Sequence, residues 1–424
     1  MNLPEAAAPV LRSPSRDGRW TQVVIASVVM LATLPGRTQG IGLITEPLLA
    51  DLKLDRVLYA NLNLWATLIG AAFCFPAGWA IDRFGLKYVT TLITLLLGVV
   101  VWRISAFAGS ISLLFTLLLL TRALGQSALS VASITAVGKW FRERVGVGMG
   151  VFSVLLSVLF AAAFGIIGHA VRQHGWRAAW LGMALALVSV ITPLVFWLLR
   201  EPPQIERSTG FNPLPGDTAA ATRTEVRVSP LDFTPGQALR TRVFWIFATA
   251  AASFNLVSSG LGLFNESVLN EQGFARETFH HFLVITTLLS LAGQFACGWM
   301  LARWKFQTLT CAALLLYGAG LAAIPFVHTH LTLWIVAALI GGAGGMIIVI
   351  FFSVWSAVFG QKHLGRIQGT AQMLTVLSSA AGPVLFAKCF EFNGSYSLLL
   401  WVLAGTVAAL AMYARFVPDA KKPS

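Results

Sequence analysis

Charge is what this sequence has least of. Only 11% of its 424 residues are Asp, Glu, Lys or Arg and 57% are hydrophobic, whereas a soluble domain carries about 25% charged residues. An ordinary water-soluble globule is therefore excluded. Acids are scarcer than bases, 17 against 30. Cysteine is nearly absent too. Cys74, Cys297, Cys311 and Cys389 fall in or at the ends of apolar runs, without metal-ligand spacing. They read as small packing residues, which argues against a disulfide framework or a zinc site. No nucleophile–base or metal constellation is found, so neither an enzyme nor a cofactor is expected.

Long apolar runs are what the chain has instead. Twelve segments are each long enough to cross a hydrocarbon core of about 30 Å. They lie near 21–48, 58–81, 87–108, 112–138, 146–169, 176–199, 243–266, 280–302, 307–327, 331–357, 365–388 and 395–416. Residues 1–20 carry Arg and Pro with no apolar core and read as a cytoplasmic tail, not a cleaved signal peptide. A second short tail spans 417–424. Residues 200–242, opened by Arg200-Glu201-Pro202-Pro203, read as a cytoplasmic linker, poorly ordered to about residue 230.

The net charge of +13 is distributed unevenly. With the N-terminus inside, the inner segments hold 21 Lys and Arg and the outer ones 6. By the positive-inside rule both termini are cytoplasmic, and the basic excess is an orientation signal rather than a nucleic-acid surface. Asn265-Glu266-Ser267 and Asn393-Gly394-Ser395 match the glycosylation triplet but hug the membrane surface, and they read as chance.

The chain also repeats itself. At a constant offset of 220, Gly40, Gly42, Leu43, Glu46, Leu49 and Arg56 face Gly260, Gly262, Leu263, Glu266, Leu269 and Arg276. The register continues without a gap to Gly78/Gly298, Trp79/Trp299 and Arg83/Arg303, with 13 matches in 44 positions. Shared hydrophobicity does not explain this, because Glu, Arg and Gly positions coincide.

The stretch Gly78-Trp79-Ala80-Ile81-Asp82-Arg83-Phe84-Gly85-Leu86-Lys87 ends the second apolar run, and residues 298–303 echo it. An apolar helix, a Gly-x-x-x-Asp-Arg-x-Gly-x-Lys turn and a degenerate second copy resemble the major facilitator superfamily. That resemblance implies an all-α membrane protein: twelve transmembrane helices in two pseudo-symmetric six-helix bundles, 21–199 and 243–416, around a midplane site. Lys139-Trp140-Phe141-Arg142-Glu143-Arg144, Gly175-Trp176-Arg177 and Gly365-Arg366-Ile367-Gln368-Gly369 resemble bacterial members of the monocarboxylate and oxalate/formate porter group. The eighth span departs from that group. It offers Thr286, Thr287, Ser290 and Gln294 in place of a basic residue, which moves the expected charge recognition to the N-terminal half.

Three arginines stand inside apolar runs: Arg37, Arg103 and Arg122. A charge at mid-bilayer costs about 2.5–3.5 kcal/mol on insertion scales, so such residues are expected to face a cavity or a partner. Arg37 follows Pro35-Gly36, which loosens the helix, and reads either as an anion ligand or as half of a structural ion pair. Arg122 lies about 15 Å deep, and Arg122-Ala123-Leu124-Gly125-Gln126 resembles the superfamily's fourth-helix arginine motif. That motif implies proton coupling or the holding of a cavity carboxylate. Arg103 is near the outer face, where it can snorkel. Glu46 and Glu266 are the only acids approaching the core. Each is read either as an outer-gate residue, paired with Arg56 or Arg276, or as a proton-coupling group. Gln39 shares the face of Glu46 on an ideal helix and joins the expected substrate-binding set with Asn255, Ser259, Gln294 and Gln372. Ser258, Trp355 and Gln368 are further cavity candidates.

By resemblance, Asp82 latches the inner gate against the helix start near 363–366, with Gly78, Gly85, Arg83, Lys87, Glu143 and Arg144 around it. Ala302 replaces the aspartate in the second copy, so the latch is expected on one side only. The sequence thus points to a monomeric secondary transporter in a bacterial inner membrane. Its expected partners are the bilayer, a small and preferably anionic solute, and protons. A porter of neutral, zwitterionic or drug-like solutes and a non-transporting membrane sensor are the alternatives.

Overall fold

The computed structural model describes residues 16–141, 144–202 and 232–417, apart from the side chains of Arg16, Asp17, Arg276, Glu277 and His280. The tails expected over 1–20 and 417–424, most of the linker, and Arg142 and Glu143 fall largely or wholly outside these residues. Among the described residues the fold is helical, with no strand. Ten helical runs among these residues are long and apolar enough to cross a membrane.

The first segment is broken rather than continuous. Helix α1 (Arg16–Leu31) gives way to a 3-10 turn, Leu34–Gly36, then to α2 (Thr38–Gly42) and α3 (Thr45–Leu52). Pro35 cannot donate to the turn before it, which ends the ladder there. The break also undoes the ideal-helix relation assumed between Gln39 and Glu46. Next come α4 (Arg56–Ala71), capped by Asp55 accepting from the Leu58 amide at 2.9 Å, and α5 (Cys74–Phe84). Gly85, at φ 92° and ψ 153°, reverses the chain into α6 (Leu86–Ser105) through a conformation that disfavours any side chain.

Helix α7 (Ile111–Thr121) runs through a π-helical stretch, Arg122–Leu129, into α8 (Ser130–Trp140). Helix α9 spans Val145–Leu185 but is non-helical at Gly175 (φ 80°, ψ 162°). At 1.5 Å per residue its 41 residues would reach about 60 Å, twice a hydrocarbon core, so the glycine turn is where the chain folds back. A second π-stretch, Ala186–Ile191, leads into α10 (Thr192–Leu198).

The C-terminal half opens with α11 (Pro235–Leu239), held by a Thr234–Gln237 capping box. It continues through α12 (Arg242–Glu271), α13 (Arg276–Met300), α14 (Phe306–Ala323), α15 (His330–Phe359), α16 (Leu364–Asn393) and α17 (Ser397–Phe416). Helix α13 packs on α15, α12 on α16, and α14 on α15 and α17. Small residues permit this in a lipid solvent that gives no hydrophobic drive to helix pairing. A Cβ on Gly341 or Gly345 of α15 would stand 2.4 and 2.1 Å from the carbonyls of Thr286 and Ser290 on α13. Exposed Trp197, Leu331, Phe392, Tyr413 and Phe416 face outward, as lipid-facing side chains do.

The halves meet through α5 on α16, α9 on α13, and α15 on α8 and α9. The end where α5 and α15 stop and α6 and α16 begin is here called the lower end. At this end Gly78 comes close to Gly365, Gly138 to Leu364 and Gly146 to Leu301 across the halves.

Candidate functional site

At the lower end Asp82 sits in the last turn of α5 with its side chain only 2% exposed. Its two carboxylate oxygens accept from the amides of Gly365 (3.1 Å) and Arg366 (3.0 Å), the first turn of α16. The unsatisfied amides and positive dipole end of that 30-residue helix favour an anion. Lys139 at the end of α8 donates to the same carboxylate at 2.9 Å. Close approach makes this possible: a Cβ on Gly78 would lie 2.0 Å from the Gly365 carbonyl oxygen.

The neighbours named with Asp82 have different surroundings. Arg83 is exposed and stacks over Trp79 at 5.3 Å. Lys87 lies over Phe196 at 4.8 Å, while its amide donates to Glu201 at 2.7 Å beside Gly85. Arg144 is exposed at the start of α9 and does not bond Asp82. Sequence reasoning left Lys139 out of this cluster, because nothing along the chain links positions 57 residues apart. It also missed Gln361, which donates to the Gly138 carbonyl at 2.9 Å and ties the halves a second time. Around them Asp232 accepts from the amides of Gln361 (3.2 Å) and Lys362 (3.4 Å). Nearby, burial pushes His363 below its ordinary pKa of 6.5, partly offset by Asp82 and Asp232 and reinforced by Lys362 and Arg366.

Deeper in the molecule are the two arginines. Arg37 is half-buried just past the Leu34–Gly36 turn. Its guanidinium donates to Thr33 Oγ1 (2.6 Å) and Ser130 Oγ (3.2 Å), touches Met30 Sδ at 3.0 Å and lies 5.3 Å above the Phe160 ring. Every polar partner is neutral, and among the described residues Arg37 forms no ion pair. Arg122 is 3% exposed and enclosed by neutral acceptors as well. It donates to the Gly36 carbonyl (3.2 Å), Thr38 Oγ1 (3.0 Å), Gln126 Oε1 (2.9 Å) and Asn63 Oδ1 (3.3 Å). The Gly36 contact fastens the chain break that carries Arg37. A Cβ on Gly36 would fall 2.4 Å from the Thr121 carbonyl oxygen, so only glycine lets the turn reach the π-stretch.

The remaining candidates divide between cavity and packing. Gln294 on α13 is buried and bonds Ser157 of α9 across the halves at 3.3–3.4 Å. Gln372 is half-buried with its Oε1 unpaired. Asn255 donates to the Ala251 carbonyl at 2.9 Å within its own helix. Ser259 donates to the Ser379 carbonyl at 2.6 Å, so its hydroxyl is engaged between α12 and α16. Gln39 is exposed. Glu46 pairs with Arg56 at 2.9 Å, both largely in solvent at 68% and 74% side-chain exposure, and Glu266 is exposed at the same end.

The family model of the Major Facilitator Superfamily matches residues 25–383 and 255–424. The chain belongs to the Major Facilitator Superfamily. Over 183 residues it is 27% identical to the human protein named Monocarboxylate transporter 14, a match covering 40% of this chain and 33% of that one. The chain thus spans about a third of the length of the curated relative it matches. The structure is similar to that of the human organic anion transporter MFSD10 (TM-score 0.68, 16% identity, 96% of this chain and 100% of that one). It is equally similar to FucP in the outward conformation (TM-score 0.68, 15% identity, 95% and 100%). At these identities the likeness is one of fold.

Proposed function

We propose that this chain is a secondary active transporter working by alternating access. Its cargo is a small organic anion, a carboxylate, moved with a proton or by exchange. The observation that carries the reading is Arg37: a guanidinium inside the fold, beside an aromatic ring, held by neutral groups and with no carboxylate among the described residues to compensate it. A fixed charge of this kind is stabilised by a ligand of opposite sign. Arg122 acts as a positioning residue by holding the Gly36 turn.

The same reading counts twelve crossings in two bundles. Ten apolar runs supply ten, Val145–Leu198 counts twice across Gly175, and the broken segment from Arg16 to Leu52 supplies the last. With the lower end cytoplasmic, as the basic excess suggests, contacts around Asp82 close the inner face and the transporter faces outward. The monomer in a bacterial inner membrane remains the working unit of this reading. Proton coupling through Glu46 or Glu266 is the weaker component, since both are exposed at the outer end and Glu46 is held in a surface pair with Arg56.

A thermal-stability screen of the purified protein with and without Arg37→Gln tests this. A ligand at 100 times its Kd stabilises by about 2.7 kcal/mol. Carboxylates are expected to stabilise the wild type. The variant should lose about 100-fold or more in affinity, as truncating one partner of a desolvated charge pair does. Equal stabilisation of both forms by neutral or cationic compounds, with none by carboxylates, sinks the reading. A neutral or drug-like cargo would then follow, a possibility supported by the uncharged lining of the cavity in the C-terminal half.

A further inference from the structure

Two aspartates grip the backbone where α15 passes into α16. Only Gly360 to His363 separate these helices, and Gly360 turns the chain at φ 83°. Within that loop the amides of Gln361 and Lys362 donate to Asp232 Oδ1 at 3.2 and 3.4 Å. Just beyond it, the amides of Gly365 and Arg366 donate to the two oxygens of Asp82. Gln361 Nε2 also reaches the Gly138 carbonyl at 2.9 Å. One short loop thus offers the N-terminal half both the amides that Asp82 takes and the side chain that Gly138 takes.

The two aspartates differ in what carries them. Asp82 belongs to α5 in the N-terminal half and parts from the loop in an alternating-access cycle. Asp232 is fastened to the C-terminal half by its own neighbour. Phe233 donates its amide to the Phe359 carbonyl at 3.1 Å, and its fully buried ring meets that of Phe359 edge to face at 5.3 Å. Phe359 closes α15 and packs in turn on Phe244 of α12. His363, at the N-cap of α16, supplies no side-chain capping bond. Among the described residues, the side-chain hold on the loop amides within this half comes from Asp232.

We infer that Asp232 is a positioning residue of the transport cycle. It keeps the loop in the shape that Asp82 and Gly138 meet, whether the lower end is closed or open. Without it two amides lose their acceptor, and each closure must order the loop afresh, a cost that preorganisation removes. The inference rests on the alternating-access reading above and adds to it a residue that acts from within one half.

The test uses the full-length protein with a cysteine placed at Ser356, whose Cβ lies 3.3 Å from the place of a Cβ on Gly138 in the other half. Each variant is labelled with and without that cysteine. Asp232→Ala is expected to label about 10-fold faster, the worth of a hydrogen bond to a charged group. Asp232→Asn keeps the Oδ1 acceptor and should return most of the way to wild type. Adding Asp232→Ala to Asp82→Asn should change nothing further, since a preset loop has no value once its partner is gone. Hydrogen exchange in Asp82→Asn gives a reading that needs no change at Asp232. There the amides of Gly365 and Arg366 should lose protection while those of Gln361 and Lys362 keep it. Wild-type labelling of Asp232→Ala, multiplied rates in the double variant, or loss of protection at all four amides overturns the inference. Unchanged labelling in Asp82→Asn overturns the alternating-access reading beneath it as well.

Discussion

The two copies of the 220-residue repeat are alike in packing and unlike in charge. In the first, Gly78 of α5 presses against the Gly365 carbonyl of α16. In the second, Gly298 of α13 lies 3.0 Å, measured from an added Cβ, from Gly150 Cα and the Gly146 carbonyl oxygen on α9. Each copy joins its own half to the other one. Each also stacks its arginine on its tryptophan, Arg83 over Trp79 at 5.3 Å and Arg303 over Trp299 at 4.0 Å. Only the first has a carboxylate, Asp82, bonded to a helix start and to Lys139, where the second has Ala302. Close helix approach is thus a duplicated property, and the charged clasp is an addition to one copy. The asymmetry extends inward: Arg37 and Arg122 lie in the N-terminal half, while the cavity in the C-terminal half has no charged lining residue.

Breaking the clasp should have the largest effect. Asp82→Asn leaves Lys139, only 12% exposed, without its counter-ion. Removing one partner of a buried pair costs about 3–5 kcal/mol. Normal expression with at least a 100-fold loss of transport is expected, together with faster labelling of a cysteine placed at Gln361. Lys139→Met in that background should recover part of the closure. Normal turnover in Asp82→Asn would contradict the clasp.

The glycines sharpen the comparison. Gly78→Ala places a Cβ 2.0 Å from backbone oxygen, and the nearest atoms to the same group on Gly298 are at 3.0 Å. Overpacking of the first kind costs about 1–3 kcal/mol, and Gly298→Ala should cost less in the same labelling assay. Equal effects would mean that the two contacts are under equal demand.

His363 offers a smaller, pH-dependent test. Its pKa is lowered in the folded state, so between that value and 6.5 the unfolded chain binds more protons. Stability of the lower end should therefore fall as pH drops below 6.5 and stay flat above it, and His363→Gln should remove the slope in melting curves. Smallest of all is Glu46→Gln. Its exposed pair with Arg56 is worth about 0.2–1 kcal/mol, and the variant should fold and transport within about twofold of wild type.

The lone arginine after Pro35-Gly36 could be singled out from sequence because a charge in an apolar run is conspicuous wherever it points. The partners that give it meaning could not. Thr33, Ser130 and Phe160 come from three segments, and Ser130 lies 93 positions from Arg37. Ser259 and Gln294 looked alike as polar groups on apolar helices. One hydroxyl is engaged by a backbone carbonyl of α16, and the other side chain bridges to α9.

The sequence by itself determined the membrane-spanning class, the duplication, the turns at Gly85 and Gly175, and which charges lie inside apolar runs. These follow from composition, periodicity and backbone freedom, all local quantities. Tertiary structure alone decided that Asp82 meets the start of α16, that Lys139 joins it, and that Asn265 lines an apolar cavity. Hydrogen bonds and cavities form between helices far apart in the chain, and the angular placement of a helix face is set by packing against neighbours that the chain order does not specify.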